Sequence, residues 1–150
     1  HAGMGRLRMT DHWTYVALLA VHWGGDFYLQ SHWMSVNKSS RLDALAMHVG
    51  VYTLTLAIGT ALLFGISIEN RWMLAAFVLL NGALHFATDY VTSRMTSRRW
   101  AEAFRPERDG ETVPFYPPRS EPIHNFFVIV GVDQYIHQLT LAATMWWLLR

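Results

Sequence analysis

Four apolar stretches dominate the sequence, and each has about the length that a helix needs to cross a membrane. They cover residues 13–30, 44–68, 72–90 and 123–149. A helix crosses the hydrocarbon core with about 20 predominantly apolar residues. The second stretch contains no charged residue, and each of the others contains one, an aspartate. The pattern predicts an all-α integral membrane protein folded as a four-helix bundle.

A soluble four-helix bundle is the main alternative fold. Its helices would carry a charged face opposite the apolar stripe, whereas residues 51–66 are apolar or small around the whole helix circumference. Only 15% of the residues are charged, against roughly 25% in soluble domains. We therefore expect the lipid bilayer as a partner. The net charge of +1 gives no reason to expect nucleic acid.

The rest of the sequence predicts one transmembrane domain, residues 12–150, preceded by a short tail. Residues 1–11 are read as an N-terminal tail that is partly a vector remnant, because Met9 suits a natural start. Arg6 and Arg8 also resemble the start of a signal peptide, but cleavage would remove aspartate and histidine that the predicted centre needs. All five prolines and six arginines lie within about residues 93–122. This segment is predicted to be a long polar loop between helices 3 and 4 and a candidate surface for a protein partner.

The basic residues predict an orientation. With four spans, both termini lie on one side together with four arginines, while the other side holds Lys38, Arg41 and the six loop arginines. Cytoplasmic segments carry the excess of positive charge. We therefore expect a cytoplasmic long loop, with both termini outside.

The three aspartates of the apolar stretches each lie four residues from a histidine. Helix positions i and i+4 share one face, so each pair presents two ligands in one direction. The second stretch adds one histidine, and counting from the helix ends places all these residues at a similar depth in the cytoplasmic half. An aspartate in the bilayer core costs about 2.5–3.5 kcal/mol unless it is compensated. The predicted metal ligands are His22, Asp26, His48, His85, Asp89, Asp133 and His137.

The ligand types indicate a divalent metal. The sequence has no cysteine, and imidazole with carboxylate suits zinc, our first choice, or iron or manganese. Seven donors exceed one tetrahedral site, so one or two ions are expected. A metal-free polar core of His–Asp pairs and a proton or ion relay remain alternatives. The residues expected to orient the ligands are Gln30, Tyr52, Asn81, Tyr90 and Gln134.

The order of the motifs also resembles a known family. HWGGDFYLQSHWM, NK, HVGVY, HFATDY and DQYIHQLTL are similar to the successive motifs of small membrane proteins of unknown function from bacteria and phages. That family is similar in turn to LexA-regulated, membrane-bound proteins described as metal-dependent hydrolases. The resemblance covers about residues 21–141. It implies a bacterial inner-membrane location and a polar centre formed by the seven residues named above.

Two functional hypotheses follow. The first is a metal-dependent hydrolase of a lipid or lipid-linked phosphoester, with Asp26 as the general base. The second is a non-enzymatic, metal-stabilised membrane component of a larger assembly, for example one encoded by a phage. The sequence leaves the oligomeric state open.

Overall fold

The computed structural model describes residues 12–104 and 120–149, which are mostly helical and contain no strand. The all-α class is therefore confirmed for this part of the chain. The tail, residues 1–11, and residues 105–119 of the predicted loop, with much of the predicted partner surface, lie outside the described residues. The elements are α1 (His12–Trp23), a π-helical segment (Gly24–Tyr28), α2 (His32–Asn37), α3 (Leu42–Phe64), α4 (Arg71–Ala103) and α5 (Ser120–Leu148).

Three of the described helices, α3, α4 and α5, are long and apolar enough to cross a membrane. The first predicted span differs from these three. Its α-helical part has 12 residues and continues as a five-residue π-helical segment. The described part of the chain therefore has three candidate spans where the sequence predicts four, and the first apolar stretch forms a shorter, interrupted helix.

The sequence places the start of the loop too early. The structure shows that α4 continues to Ala103, whereas the predicted loop starts at about residue 93. The arginines of this region suggest a loop by composition, but no proline occurs before Pro106. Arg99 and Glu102 form an ion pair of 2.8 Å across one helical turn, a spacing that supports helices. A charged helix extension therefore replaces the first third of the expected loop.

The π-helical segment changes the course of the first helix beside α3. The amide of Leu29 donates to the carbonyl of Gly24 at 2.9 Å, a bond one residue longer than in an α-helix. One extra residue in a turn rotates the following residues by about 100° relative to a continuous α-helix. Gly25 permits close packing there, since a Cβ at this position would lie 3.3 Å from Cα of Tyr52.

Helices α3 and α4 also approach closely. A Cβ added to Gly82 would lie 2.5 Å from Oγ1 of Thr53. The absence of a side chain at Gly82 therefore allows these two helices to pack closely. Away from the connection that contains α2, the helices enclose an apolar cluster. Its members are Leu18, Tyr52, Leu56, Leu74, Phe77, Val78, Leu141, Met145 and Leu149. The polar residues lie between this cluster and α2.

Candidate metal centre

The structure brings all seven predicted ligand residues into one cluster. The first helix and its π-helical segment supply His22 and Asp26, α3 supplies His48, and α4 and α5 each supply one His–Asp pair. Six of the seven are buried. The exception is Asp133, whose side chain is 15% exposed. The similar depth inferred from the sequence therefore corresponds to real proximity.

Four of these side chains, Asp26, His48, His85 and Asp89, form the first donor group. Each offers one ligand atom, and the four atoms lie within 4.8 Å of one another. Nε2 of His48 lies 3.1 Å from Nε2 of His85 and 3.2 Å from Oδ1 of Asp26. Tetrahedral zinc with bonds of about 2.0–2.1 Å separates its ligand atoms by about 3.3–3.4 Å. The spacing of this group therefore fits a single ion.

The second donor group consists of Asp26, Asp133 and His137, whose ligand atoms also lie within 4.8 Å of one another. Nε2 of His137 is 3.4 Å from Oδ1 of Asp133 and 3.2 Å from Oδ1 of Asp89. Asp26 therefore belongs to both groups, and Asp89 lies within reach of both.

The two oxygens of Asp26 and the two oxygens of Asp89 each face different partners. Oδ1 of Asp26 faces His48, while its Oδ2 accepts a hydrogen bond of 2.9 Å from Gln134 and lies 3.9 Å from Nε2 of His22. Oδ2 of Asp89 is 3.1 Å from Nε2 of His48, and its Oδ1 faces His137. Carboxylates with this arrangement suit a bridge between two ions.

The first helix contributes an imidazole with a free nitrogen. Nδ1 of His22 lies 3.3 Å from the hydroxyl of Tyr52, and its buried Nε2 has no hydrogen-bond partner among the described residues. A partner on one ring nitrogen orients the other toward a metal. His48 and His85 lack such a partner on Nδ1 within the described ranges. Their ring contacts include the stacking of His85 on Tyr52 and on His137, at 3.9 Å and 4.1 Å between centroids, and the Nε2 contacts inside the cluster.

Two residues of the cluster were not predicted from the sequence. Nζ of Lys38 lies 2.8 Å from Oδ2 of Asp89 and 3.4 Å from Nε2 of His48. The hydroxyl of Thr92 donates to Oδ1 of Asp133 at 2.6 Å. Helical spacing could have indicated Thr92, which follows Asp89 by three residues on the same face. Lys38 lies in a connection, where no periodicity shows the direction of a side chain.

Comparison with known proteins places the chain in a family. A model of proteins of unknown function, DUF3307, matches residues 14–149, which include every residue of the cluster. The chain belongs to the DUF3307 family. No curated protein and no solved structure matches it.

Of the residues expected to orient ligands in this DUF3307 protein, two contact the cluster. Tyr52 lies against His22 and His85, and Gln134 donates to Asp26. Asn81 does not reach the cluster, because its amide donates to Oγ1 of Thr144 at 2.8 Å. Tyr90 is 44% exposed, so it lies outside the buried cluster. Gln30 instead lines a cavity beside the cluster.

The centre of this DUF3307 protein opens into a cavity of about 220 Å³. All three aspartates of the centre line it, together with amide, hydroxyl and apolar side chains. Its other lining residues are Phe27, Gln30, Lys38, Thr92, Ser93, Thr96, Phe126, Val130 and Gln134. The donor groups are therefore adjacent to a space that a small ligand can enter.

Proposed function

We propose that this DUF3307 protein is a membrane-embedded, metal-dependent hydrolase with a centre for two divalent ions. The observation that carries the proposal is the pair of donor groups, which share Asp26 and both lie within reach of Asp89. Two-metal centres hold their ions about 3.5–4 Å apart, a separation that bridging carboxylates set. The histidine and carboxylate donors favour zinc, with iron or manganese as the next candidates.

The charge of the cluster suits divalent cations, although two protonated histidines would balance the same charge in a metal-free core. The cluster contains three aspartates and one lysine, so its formal charge is −2 when the histidines are neutral. A buried charge without compensation destabilises a protein by several kcal/mol. Divalent cations supply the missing charge. His22 belongs to neither donor group, and its Nε2 lies 3.9 Å from Oδ2 of Asp26.

The surface of the candidate spans supports a membrane location. Large apolar side chains are exposed on all three spans, among them Leu62 at 81%, Leu79 at 67% and Trp147 at 71%. Apolar surface on this scale favours lipid over water. We propose that α3, α4 and α5 cross the bilayer and that the shorter first helix completes a four-helix arrangement. The excess of positive charge around α2 and the long loop supports a cytoplasmic position for these segments.

The proposed reaction is hydrolysis of a phosphoester. Metal ions in such a centre polarise the phosphoryl oxygens and acidify a water molecule. The water oxygen forms a bond to phosphorus, the ester P–O bond breaks, and the proton released by water passes to the leaving alkoxide. The chain must therefore hold this proton during the reaction.

Asp133 is the proton acceptor that we propose, in place of Asp26. The second ion would then be held by Asp26, His137 and Oδ1 of Asp89, which lies 3.2 Å from Nε2 of His137. The side chain of Asp133 is 15% exposed and lines the cavity. The side chain of Asp26 is only 4% exposed and lies among imidazole and amide groups, so the more exposed Asp133 is better placed to exchange a proton with a ligand in the cavity. The hydroxyl of Thr92 holds the Asp133 carboxylate in position.

A lipid or lipid-linked phosphoester is the substrate class that we propose. The cavity combines polar groups with Phe27, Phe126 and Val130, so it suits a ligand with a polar head and an apolar part. The motifs resemble a family of unknown function that is similar in turn to membrane proteins described as metal-dependent hydrolases, and this indirect similarity is in line with the same reaction class.

Elemental analysis of the detergent-purified protein tests the proposal. We expect about two divalent ions per chain, a large loss in the His85→Ala variant, and full retention in His124→Ala. The control replaces an exposed histidine on α5. Metal-dependent release of phosphate or alcohol from a lipid phosphoester should follow the metal content. A wild-type protein without metal would refute the centre. Metal with no hydrolysis, and unfolding on chelation, would favour the non-enzymatic alternative.

A further inference from the structure

The centre contains the only lysine of the 150-residue sequence, Lys38. Its side chain is 18% exposed and extends from the connection after α2 into the cluster. The ammonium lies 2.8 Å from Oδ2 of Asp89 and 3.4 Å from Nε2 of His48. Lys38 therefore contacts two of the atoms that form the first donor group.

This position of the ammonium competes with a metal ion. An ion bound to Nε2 of His48 and Oδ2 of Asp89 would lie about 2.0–2.2 Å from each atom. The ammonium would then lie only a few ångströms from a divalent cation, and like charges at this distance repel strongly in a buried centre. Metal binding therefore requires Lys38 to release Asp89.

The cavity beside the centre provides the space for the released side chain. Lys38 lines this cavity, and it also lines a second one of about 280 Å³, which shares Ser93, Thr96 and Phe126 with the first. Two polar atoms of the first cavity, Oγ of Ser93 and Oε1 of Gln30, are buried without a hydrogen-bond partner among the described residues. Ser93 is only 9% exposed. These unsatisfied atoms leave the cavity able to bind a polar partner.

We propose that Lys38 is an exchangeable cation, which metal displaces from Asp89 and which then binds the phosphate group of the substrate in the cavity. The Ser93 hydroxyl supplies a second donor to the phosphate oxygens. This inference rests on the proposed function, because it assigns the substrate-binding group of the same centre. The chemical class that it selects is a phosphate monoester.

The charges support this order of binding. Without metal, three aspartates face one ammonium, and the cavity that they line repels an anion. Two divalent ions change the formal charge of the centre from −2 to +2, which a phosphate dianion neutralises. Phosphate is therefore expected to bind only after the metal, with Lys38 free to meet it.

Calorimetric titrations of the detergent-purified protein with Zn²⁺, and then with inorganic phosphate, test the exchange. The Lys38→Met variant should bind Zn²⁺ more tightly, because the competing ammonium is gone. Its affinity for phosphate should fall about 10- to 100-fold, the loss typical of a charge-assisted hydrogen bond. Lys38→Arg should retain phosphate binding. The control is Arg41→Met, which removes a nearby cation whose partner is the exposed Asp43, at 2.6 Å.

Chemical labelling of the unaltered protein gives a second measurement, because the sequence contains no other lysine that could be labelled. Acetylation of Lys38, followed by mass spectrometry of its peptide, should become faster when Zn²⁺ is added and slower again when phosphate follows. Lys38 that labels at one rate in all three states would overturn the exchange, even if Lys38→Met does not fold. The same protection by phosphatidate in mixed micelles, but not by inorganic phosphate, would identify a lipid headgroup as the source of the phosphate.

The outcomes separate this inference from the proposed function. Zinc bound equally by wild type and Lys38→Met, with equal affinity for phosphate, would refute the role of Lys38 and leave the metal centre standing. A wild-type protein that binds no zinc would refute both.

Discussion

The Nε2 atoms of His48 and His85 lie 3.1 Å apart, although the two residues belong to different helices. Both atoms also lie within 3.4 Å of Oδ1 of Asp26. A hydrogen bond between the two imidazoles would account for the contact between their Nε2 atoms, but it would not account for both contacts with Oδ1 of Asp26. Three donors that converge on one point suit a shared cation.

The bridging geometry predicts unequal losses of metal. Asp89→Asn should abolish metal binding, because its two oxygens face different donor groups. His137→Ala should remove only about one of two ions, since His137 belongs to the second group alone. Equilibrium dialysis with elemental analysis measures both. Wild-type metal content in Asp89→Asn would contradict the assignment.

Thr92 predicts a separation of activity from metal content. Thr92→Val removes the hydrogen bond of 2.6 Å to Asp133. The rate of hydrolysis should fall about 10- to 100-fold, which corresponds to the free energy of a hydrogen bond to a charged group. The metal content should stay unchanged. The control is Thr88→Val, one turn earlier, where the hydroxyl donates to the carbonyl of Leu84. Equal activity of the two variants would exclude a role for Thr92 in proton transfer.

The close approach of α3 and α4 predicts an effect of Gly82 on stability. Gly82→Val forces atoms into the space occupied by Thr53 and should lower the free energy of unfolding by about 1–3 kcal/mol. Gly50→Val is the matched control on α3, because a Cβ there meets no atom within 4 Å. Denaturant titration in detergent, monitored by helicity, compares the two variants. Similar losses of stability in both variants would mean that the close packing at Gly82 does not determine the stability of the protein.

The hydrogen bond between Asn81 and Thr144 should stabilise the helices without affecting the metal. A double-mutant cycle with Asn81→Ala and Thr144→Val should give a coupling energy of about 0.6 kcal/mol, and at most about 1.7 kcal/mol. The bond of 2.8 Å joins α4 to α5 away from the donor groups, so every variant should keep its full metal content. Loss of metal in Asn81→Ala would instead show that Asn81 supports metal binding.

The helix periodicity made the cluster predictable from the sequence. Each apolar stretch with a lone aspartate places it four residues from a histidine, and an α-helix directs both to one side. The cost of an uncompensated carboxylate in apolar surroundings then requires the helices to meet at these residues. Six of the seven predicted residues follow from this one spacing, and His48 follows from its depth.

Other parts of the structure do not follow from periodicity. Lys38 reaches Asp89 only because α2 turns the connection back over the centre, and composition does not specify that path. The extension of α4 to Ala103 does not follow from composition, because arginines are typical of a loop as well as of a solvated helix. The π-helical segment packs closely against Tyr52 at Gly25, a tertiary contact that periodicity does not reveal.

The π-helical segment also fixes how many residues the first helix must contain. Deleting one residue between Gly24 and Tyr28 would allow a continuous α-helix, in which His22 and everything before it turn by about 100° relative to the chain that leads to Lys38. Every ligand type would still be present in such a shortened chain, yet one wall of the centre would be rotated away from the others. In this fold, residue count is as much a determinant of the centre as residue identity.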